Sequence, residues 1–151
     1  MRLAGALFLF AASAAAAEEA PGVANAQRAK MNWMLSCQGC HKSDATGSAG
    51  GAPSMAGEVA RFLNVEGGRE YLTRVPGVAN AGMPDDQLAE LLNWTLAAFD
   101  KDHLPKDFSP FTAQEMAAGR ARPLVSEAAI MRESLRGKFA DDEKRQSAGR
   151  D

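Results

Sequence analysis

Cys37-Gln38-Gly39-Cys40-His41 is the segment that says most about this 151-residue chain. Two thiols separated by two residues can each add to one vinyl group of a haem and form two thioether bonds. The histidine that follows is then held on one face of the ring, where its Nε2 atom can coordinate the iron. The motif therefore predicts one covalently bound haem c, with Cys37, Cys40 and His41 as its binding residues and His41 as an iron ligand.

Two other kinds of site use the C-x-x-C spacing. A structural zinc site usually has four protein ligands, but both cysteines of the chain lie in this motif, and the other histidine, His103, is far away in the sequence. A thioredoxin-like redox pair needs β-strands around the motif, and the flanking sequence shows no strand pattern. Haem attachment is favoured, and thiol oxidoreductase chemistry by Cys37 and Cys40 stays as an alternative.

Upstream of the motif, residues 1–17 have the features of a cleavable secretory signal peptide. Arg2 supplies the positive charge, residues 3–10 are apolar, and residues 15–17 are alanines suited to cleavage. The apolar run is shorter than the ~20 residues that a membrane-spanning helix needs, so we expect no stable membrane span after cleavage. Because c-type haem is attached outside the bacterial cytoplasm, the predicted location is the periplasm.

The charge balance limits the class of partner. The chain carries 17 basic and 19 acidic residues, which gives a formal net charge of −2. Proteins that bind nucleic acids neutralise phosphates with an excess of Lys and Arg. We therefore expect no nucleic-acid partner.

The segments on both sides of the motif are predicted to be helices joined by loops. Asn25 can cap a helix over residues 25–36 that leads into the motif, and Trp33 is its expected core aromatic. The clearest helix covers residues 85–99, where an apolar stripe follows the helical period: Leu88, Leu91, Leu92, Leu96 and Phe99. The elements expected between these helices are loops at 43–53 and 78–82, a helical turn at 58–63 and a short helix at 69–74.

Residues 25–99 resemble a class I cytochrome c. The resemblance rests on a first helix with a small residue and an aromatic, Ala29 and Trp33, that runs into C-x-x-C-H, and on Pro53, twelve residues after the motif histidine. In that family the carbonyl of such a proline accepts a hydrogen bond from the histidine Nδ1, and an aromatic of the last helix, here Trp94, packs across the first helix. The resemblance implies an all-α fold with a cytochrome c-like haem domain, and electron transfer as the activity.

The same resemblance implies a methionine as the second iron ligand, supplied by the loop before the last family helix. Met83, which is followed by Pro84, is the expected metal ligand. However, the helix begins almost directly after Met83, and aligning the helices would place Val78 where the family usually has methionine. An open iron position and, as a weaker rival ligand, Met55 stay as alternatives.

A haem also needs an apolar pocket and partners for its two propionates. Guanidinium groups match the geometry of carboxylates, so one of Arg61, Arg69 and Arg74 could pair with a propionate. The side chains expected to wall the pocket are Phe62, Leu63, Tyr71, Leu72, Leu91 and Trp94.

We divide the chain where the resemblance ends. Residues 18–100 form the predicted cytochrome c domain, residues 101–140 a C-terminal helical extension, and residues 141–151 a charged tail that we expect to be disordered.

Within the extension, Thr112 and Glu115 match a capping box at the start of a helix over residues 111–120. A second helix is expected from Ser126 to Phe139. The basic residues between 120 and 138 could orient an acidic redox partner, although an ordinary charged surface would give the same pattern.

The predicted function is electron transfer rather than enzymatic catalysis. We expect a periplasmic carrier that accepts one electron at a time from a donor dehydrogenase and passes it to an electron acceptor. The alternative from another class is a haem protein with an open iron site that binds a gas or acts catalytically.

Overall fold

The computed structural model describes residues 20–148, which are helical and contain no β-strand. The α-helices of this part of the chain are α1 (Ala26–Ser36), α2 (Gln38–His41), α3 (Gly68–Arg74), α4 (Pro76–Ala79), α5 (Asp85–Asp100), α6 (Ala113–Arg120), α7 (Ala128–Arg136) and α8 (Phe139–Ala148). Two 3₁₀ helices cover Val59–Asn64 and Lys101–His103. The prediction of an all-α fold is confirmed, and the predicted signal peptide lies outside the described residues.

Helices α1 and α5 pack against each other at the centre of the core. Asn25 caps α1 as predicted, because its side chain accepts a hydrogen bond from the backbone N–H of Arg28 at 2.8 Å. Trp33 is buried on the inner face of α1, and its ring centroid lies 4.6 Å from that of Phe99. The ring of Trp94 lies 6.2 Å from that of Trp33, which confirms the expected contact between the first and last helices of the family pattern.

Glu90 of α5 binds the start of α1 through its buried carboxylate. The backbone N–H of Asn25 donates to Oε1 at 2.8 Å, and the Arg28 guanidinium donates from Nε to Oε2 at 2.7 Å and from Nη2 to Oε1 at 2.9 Å. Burial alone raises the pKa of Glu90, but the hydrogen bonds from Arg28 and Asn25 outweigh it and hold the pKa below its ordinary value of 4.5. The charged carboxylate therefore stabilises the packing of α1 on α5.

Two further buried polar side chains join α5 to its neighbours. Asn93 accepts a hydrogen bond from the backbone N–H of Phe111 at 2.8 Å and donates one to the Phe111 carbonyl at 3.1 Å. Asp100 accepts from the backbone N–H of Ala60 at 2.7 Å, and its other oxygen lies 2.5 Å from Nδ1 of His103. These bonds fix the first 3₁₀ helix and the segment that enters the extension against α5.

The C-terminal extension packs into the same core. Helix α6 begins with the predicted capping box, in which the Thr112 hydroxyl accepts from the Glu115 N–H and the Glu115 carboxylate accepts from the Thr112 N–H. Glu115 also accepts a hydrogen bond from Nε of Arg69 on α3, at 2.6 Å. The buried side chains of the extension are Phe111, Met116, Leu124, Leu135 and Phe139.

Arginines in the basic segment at residues 120–138 form ion pairs. The pairs are Arg120–Asp85 (2.6 Å), Arg122–Glu70 (3.4 Å), Arg132–Glu133 (3.1 Å) and Arg136–Glu58 (2.9 Å). Three of them connect the extension to earlier parts of the chain, and all of them offset positive charge. A structural use of these arginines is thus visible, while the docking of a redox partner stays a prediction.

One helix boundary before α5 differs from the sequence prediction. The loop expected at residues 78–82 begins only after α4, because residues 76–79 form one helical turn. Pro76 occupies the first position of α4, where the missing N–H of proline costs nothing. Pro76 therefore begins a short helix that was not predicted.

The C-terminal end of the chain also differs from its prediction. The single helix expected between Ser126 and Phe139 is divided into α7 and α8, and the division falls at Gly137, a weak helix former. Residues 141–148, which we expected to be disordered, continue α8 with Lys144 Nζ 3.9 Å from Asp141 Oδ1 at helical spacing. Residues 149–151 lie outside the described residues. Between residues 20 and 148, no helix has both the length and the apolar character needed to cross a bilayer.

Candidate haem site

The three motif side chains predicted to hold a haem line one cavity. The cavity has a volume of about 460 Å³, and Cys37, Cys40 and His41 all contribute to its wall. Cofactor pockets typically measure ~300–1,000 Å³ and are mostly apolar. The other parts of the wall come from α1, from residues 52–59 and Phe62, from α3, from residues 75–81, from α5 and from α7.

The imidazole of His41 is oriented by the carbonyl of Pro53. Nδ1 lies 3.0 Å from the Pro53 oxygen, as the family resemblance implied, and this part of the prediction is confirmed. A carbonyl oxygen only accepts hydrogen bonds, so Nδ1 carries the proton and Nε2 keeps a free lone pair. His41 therefore has the tautomer that an axial iron ligand needs.

A tight loop holds that carbonyl in place. The backbone N–H of Gly47 donates to the His41 carbonyl at 2.9 Å, and the N–H of Ser48 donates to the Ala52 carbonyl at 3.0 Å. Gly47 has φ +68°, and a Cβ at this position would lie 2.3 Å from the Ala52 oxygen and 2.7 Å from the Pro53 oxygen. Only glycine allows the two sides of the loop to approach each other this closely.

The two thiols occupy different environments. Cys37 is half-buried, Cys40 is exposed, and neither forms a disulfide. Burial, and secondarily the neighbouring Cys40, raises the pKa of the Cys37 thiol. A C-x-x-C oxidoreductase works through an attacking thiol whose pKa is lowered, so the surroundings of Cys37 disfavour that alternative.

The predicted wall is largely correct. Phe62, Tyr71, Leu72 and Leu91 line the cavity as expected, whereas Leu63 and Trp94 do not belong to the lining. Trp33 also lines the cavity, and its buried Nε1 has no hydrogen-bond partner among the described residues.

The three arginines proposed as propionate partners lie elsewhere. Arg69 binds Glu115, Arg74 donates to Glu70 at 2.9 Å, and the guanidinium of Arg61 lies 4.8 Å from the ring centroid of Phe139. None of these arginines lines the cavity, and the structure does not support that expectation.

The arginine that does line the cavity is Arg132 of α7, together with Ala128 and Ala129. Sequence reasoning missed Arg132 because the family pattern ends before α7. The available signal was the spacing of four residues between Ala128 and Arg132, which places both on one face of the helix.

The two candidate methionines are placed differently. Met55 lines the cavity, as does Val78. Met83 is partly buried against the core but is absent from the cavity lining. Its backbone carbonyl accepts a hydrogen bond from Nη1 of Arg120 at 2.9 Å. The structure thus brings Cys37, Cys40 and His41 together and leaves Met83 apart from them, and Met83 as metal ligand stays a prediction.

The residues present fit a covalently bound haem. Two thiols, a histidine with a free Nε2 and an apolar wall meet in one cavity of cofactor size. Arg132 adds a positive charge to a wall that is otherwise mostly apolar, and a carboxylate of the bound group could pair with it.

Comparison with known proteins agrees with this fit. No protein-family model matches the chain. Two curated relatives, both named Cytochrome c-552 and both from Thermus thermophilus, are similar to it. One is 34% identical over 122 residues, which cover 69% of this chain and 82% of the relative. The other is 36% identical over 107 residues, which cover 59% of this chain and 82% of the relative.

Proposed function

The chain belongs to the class I c-type cytochromes, and from that premise we propose that it is an electron carrier with one covalently bound haem c. Cys37 and Cys40 form the two thioether bonds, and His41 coordinates the iron through Nε2. The observation that carries the proposal is the convergence of these three side chains on one cavity, with His41 Nδ1 held by the Pro53 carbonyl.

The protein contributes orientation and electrostatics, and the bound haem supplies an iron that alternates between two oxidation states. The Pro53 carbonyl makes the His41 imidazole a better electron donor, which favours the oxidised iron. With a haem bound, the apolar wall would exclude water from part of the ring and would limit the reorganisation that accompanies a change of charge.

We place the protein in the periplasm, between a donor dehydrogenase and an electron acceptor. The proposal rests on the signal-peptide features of residues 1–17 and on the requirement that c-type haem is attached outside the bacterial cytoplasm. Edman sequencing of the protein recovered from the periplasmic fraction tests it. A mature N-terminus at Glu18 is expected, and a protein recovered only from the cytoplasm with Met1 retained would contradict it.

Haem staining after denaturing electrophoresis tests the attachment. The wild-type chain, produced with a c-type cytochrome maturation system, should give a stained band and a mass increased by one haem. The double variant Cys37→Ala, Cys40→Ala should lose both signals. A redox titration of the wild type should follow a one-electron curve in both directions, and a chain with no stained band would rule out the proposed function.

A further inference from the structure

The cavity contains few side chains that could serve as a second iron ligand. The lining side chains with a sulfur, carboxylate or phenol oxygen, apart from the motif itself, are Met55, Glu58 and Tyr71. Each of them is held by other contacts, and Met83 does not reach the wall.

Met55 belongs to the loop that orients His41. Its backbone N–H donates to the Ala45 carbonyl at 2.8 Å, two residues after Pro53, whose carbonyl binds His41. Since Met55 is anchored in the loop that holds His41, we expect its thioether on the same side of the ring as His41, where it could not serve as the second ligand.

Glu58 and Tyr71 are engaged in packing and pairing. The carboxylate of Glu58 forms an ion pair with Arg136 at 2.9 Å. The ring of Tyr71 stacks on that of Phe62, with 5.0 Å between centroids, and burial raises the pKa of its phenol. A protonated phenol is a poor iron ligand, since tyrosine coordinates as the phenolate.

Met83 does not line the cavity, and the segment around it is bonded to Arg120 of α6. The guanidinium donates to the carbonyls of Ala81 at 2.6 Å and Met83 at 2.9 Å, and to the carboxylate of Asp85 at 2.6 Å. A further bond runs from Nε to the Ala79 carbonyl at 3.3 Å. These four bonds, three to backbone carbonyls and one to a side chain, hold the segment from residue 79 to residue 85.

The part of this segment that does line the cavity has no ligating side chain. It consists of Val75, Pro76, Gly77, Val78 and Ala81. Their side chains are apolar, and an apolar surface favours a small neutral molecule over an anion.

We propose that residues 20–148 supply no second ligand to the iron of the bound haem, and that the wall formed by residues 75–78 and Ala81 admits a small neutral diatomic molecule, of the class of carbon monoxide or nitric oxide, to that position. The inference rests on the proposed attachment of haem to this chain. It adds a ligand-binding site to the electron carrier.

The test uses the full-length haem-loaded protein and carbon monoxide as the probe. We expect the reduced protein to shift its Soret band on addition of carbon monoxide and to bind about one molecule per haem. The oxidised protein should lack the weak red absorption band of methionine-ligated haem. The Met83→Leu variant should give the same spectra and the same affinity.

A gain-of-ligand variant provides the complementary test. Val78→Met places a thioether on the wall, and we expect it to create the red band and to lower the affinity for carbon monoxide at least tenfold. Val125→Met, which adds a thioether at an exposed position outside the cavity wall, serves as the control for the substitution itself and should leave carbon monoxide binding intact. An unchanged affinity in Val78→Met would contradict the assignment of this wall.

The outcomes separate the two proposals. A wild-type protein that carries stained haem, shows the red band and does not bind carbon monoxide would contradict the proposal of an open iron position. Loss of that band in Met83→Leu or in Met55→Leu would then identify the methionine responsible. A chain without covalent haem would overturn the proposed function and, with it, this inference.

Discussion

The orientation of the His41 imidazole depends on the hydrogen bond between its Nδ1 and the Pro53 carbonyl. The proton on Nδ1 is held by the Pro53 carbonyl, and the position of that carbonyl depends on the close approach of Gly47 to residues 52 and 53. A change at Gly47 should therefore alter the orientation of the His41 imidazole.

We expect Gly47→Ala to raise the reduction potential of the bound haem, because a displaced Pro53 carbonyl makes His41 a weaker electron donor. The variant should also lose about 1–3 kcal/mol of stability, since its Cβ would meet two backbone oxygens at a positive φ. Redox titration and chemical unfolding measure the two effects.

Gly50→Ala is the matched control. Gly50 also has a positive φ, +70°, but a Cβ there would meet no atom within 4 Å. Gly50→Ala should lose stability because alanine disfavours a positive φ, but its reduction potential should stay at the wild-type value. Equal potentials for the two variants would refute the role that we assign to Gly47.

A single buried glycine determines how closely α6 can pack against α3. Gly119 of α6 is buried against α3, and a Cβ at this position would lie 2.4 Å from Oγ1 of Thr73 and 2.7 Å from its carbonyl oxygen. The close packing of these two helices therefore depends on the absence of a side chain.

Gly119→Ala should lower the free energy of unfolding by about 1–3 kcal/mol, because α6 must move away from α3. Urea unfolding provides the measurement. Gly137→Ala, at the end of α7, is the control: its Cβ would meet its nearest neighbours at 3.5 and 3.6 Å, and we expect little change. A Gly119→Ala variant as stable as Gly137→Ala would show that α6 adjusts freely.

The link between α1 and α5 should give the protein an acid-sensitive component of stability. The pKa of Glu90 is lower in the folded chain than its ordinary value of 4.5, so its contribution is complete above that pH and is lost as the pH falls through the lower folded value. At pH 7 we expect Glu90→Gln to cost about 1.5–3 kcal/mol.

Unfolding by urea at a series of pH values tests this expectation. The difference between wild type and Glu90→Gln should shrink on acidification, because the wild-type carboxyl then becomes neutral as well. Glu66→Gln, at an exposed position, should show no such difference at any pH. If the difference in the free energy of unfolding between wild type and Glu90→Gln stayed the same at every pH, the shape of the side chain rather than its charge would matter at this position.

At the scale of the whole molecule, the extension belongs to the folding unit. Its buried side chains (Phe111, Met116, Leu124, Leu135 and Phe139) each contribute roughly 1.5–3 kcal/mol, and domains of this size are stable by only ~5–15 kcal/mol in total. We therefore expect a chain truncated after Lys106 to lose cooperative unfolding, as followed by circular dichroism.

A chain truncated after Ala140 is the matched control for this experiment. It keeps Phe139 and removes a segment in which Asp141 and Lys144 are exposed. It should still unfold cooperatively. A cooperative transition in the shorter chain, truncated after Lys106, would show that the cytochrome c region folds on its own.

The sequence was informative where structure is determined locally. Asn25, the Thr112–Glu115 pair and the stripe of α5 were sufficient to predict three helices, because caps and helical periods involve neighbours in the chain. Pro53 was predictable because it lies at a fixed distance from His41 in the family.

Contacts between distant parts of the chain were not predictable in this way. The pairing of Arg69 with Glu115 spans 46 residues, and nothing in the composition distinguishes Arg69 from Arg132 as the arginine near the cavity. The position of Met83 depends likewise on Arg120, 37 residues later, so the sequence around Met83 alone suggested a ligand that the wall of the cavity does not include.

The wall contributed by α7 has a consequence for the biogenesis of the protein. The thiols proposed to receive the haem lie in the first third of the chain, whereas Ala128 and Arg132 are near its end, and the Arg136–Glu58 pair connects α7 to the segment beside the cavity. We therefore expect attachment and folding to compete in time, because a docked α7 would restrict the entry of the ring. We expect the maturation machinery to act on the newly exported, unfolded polypeptide, and a chain that folds early to escape it without its cofactor.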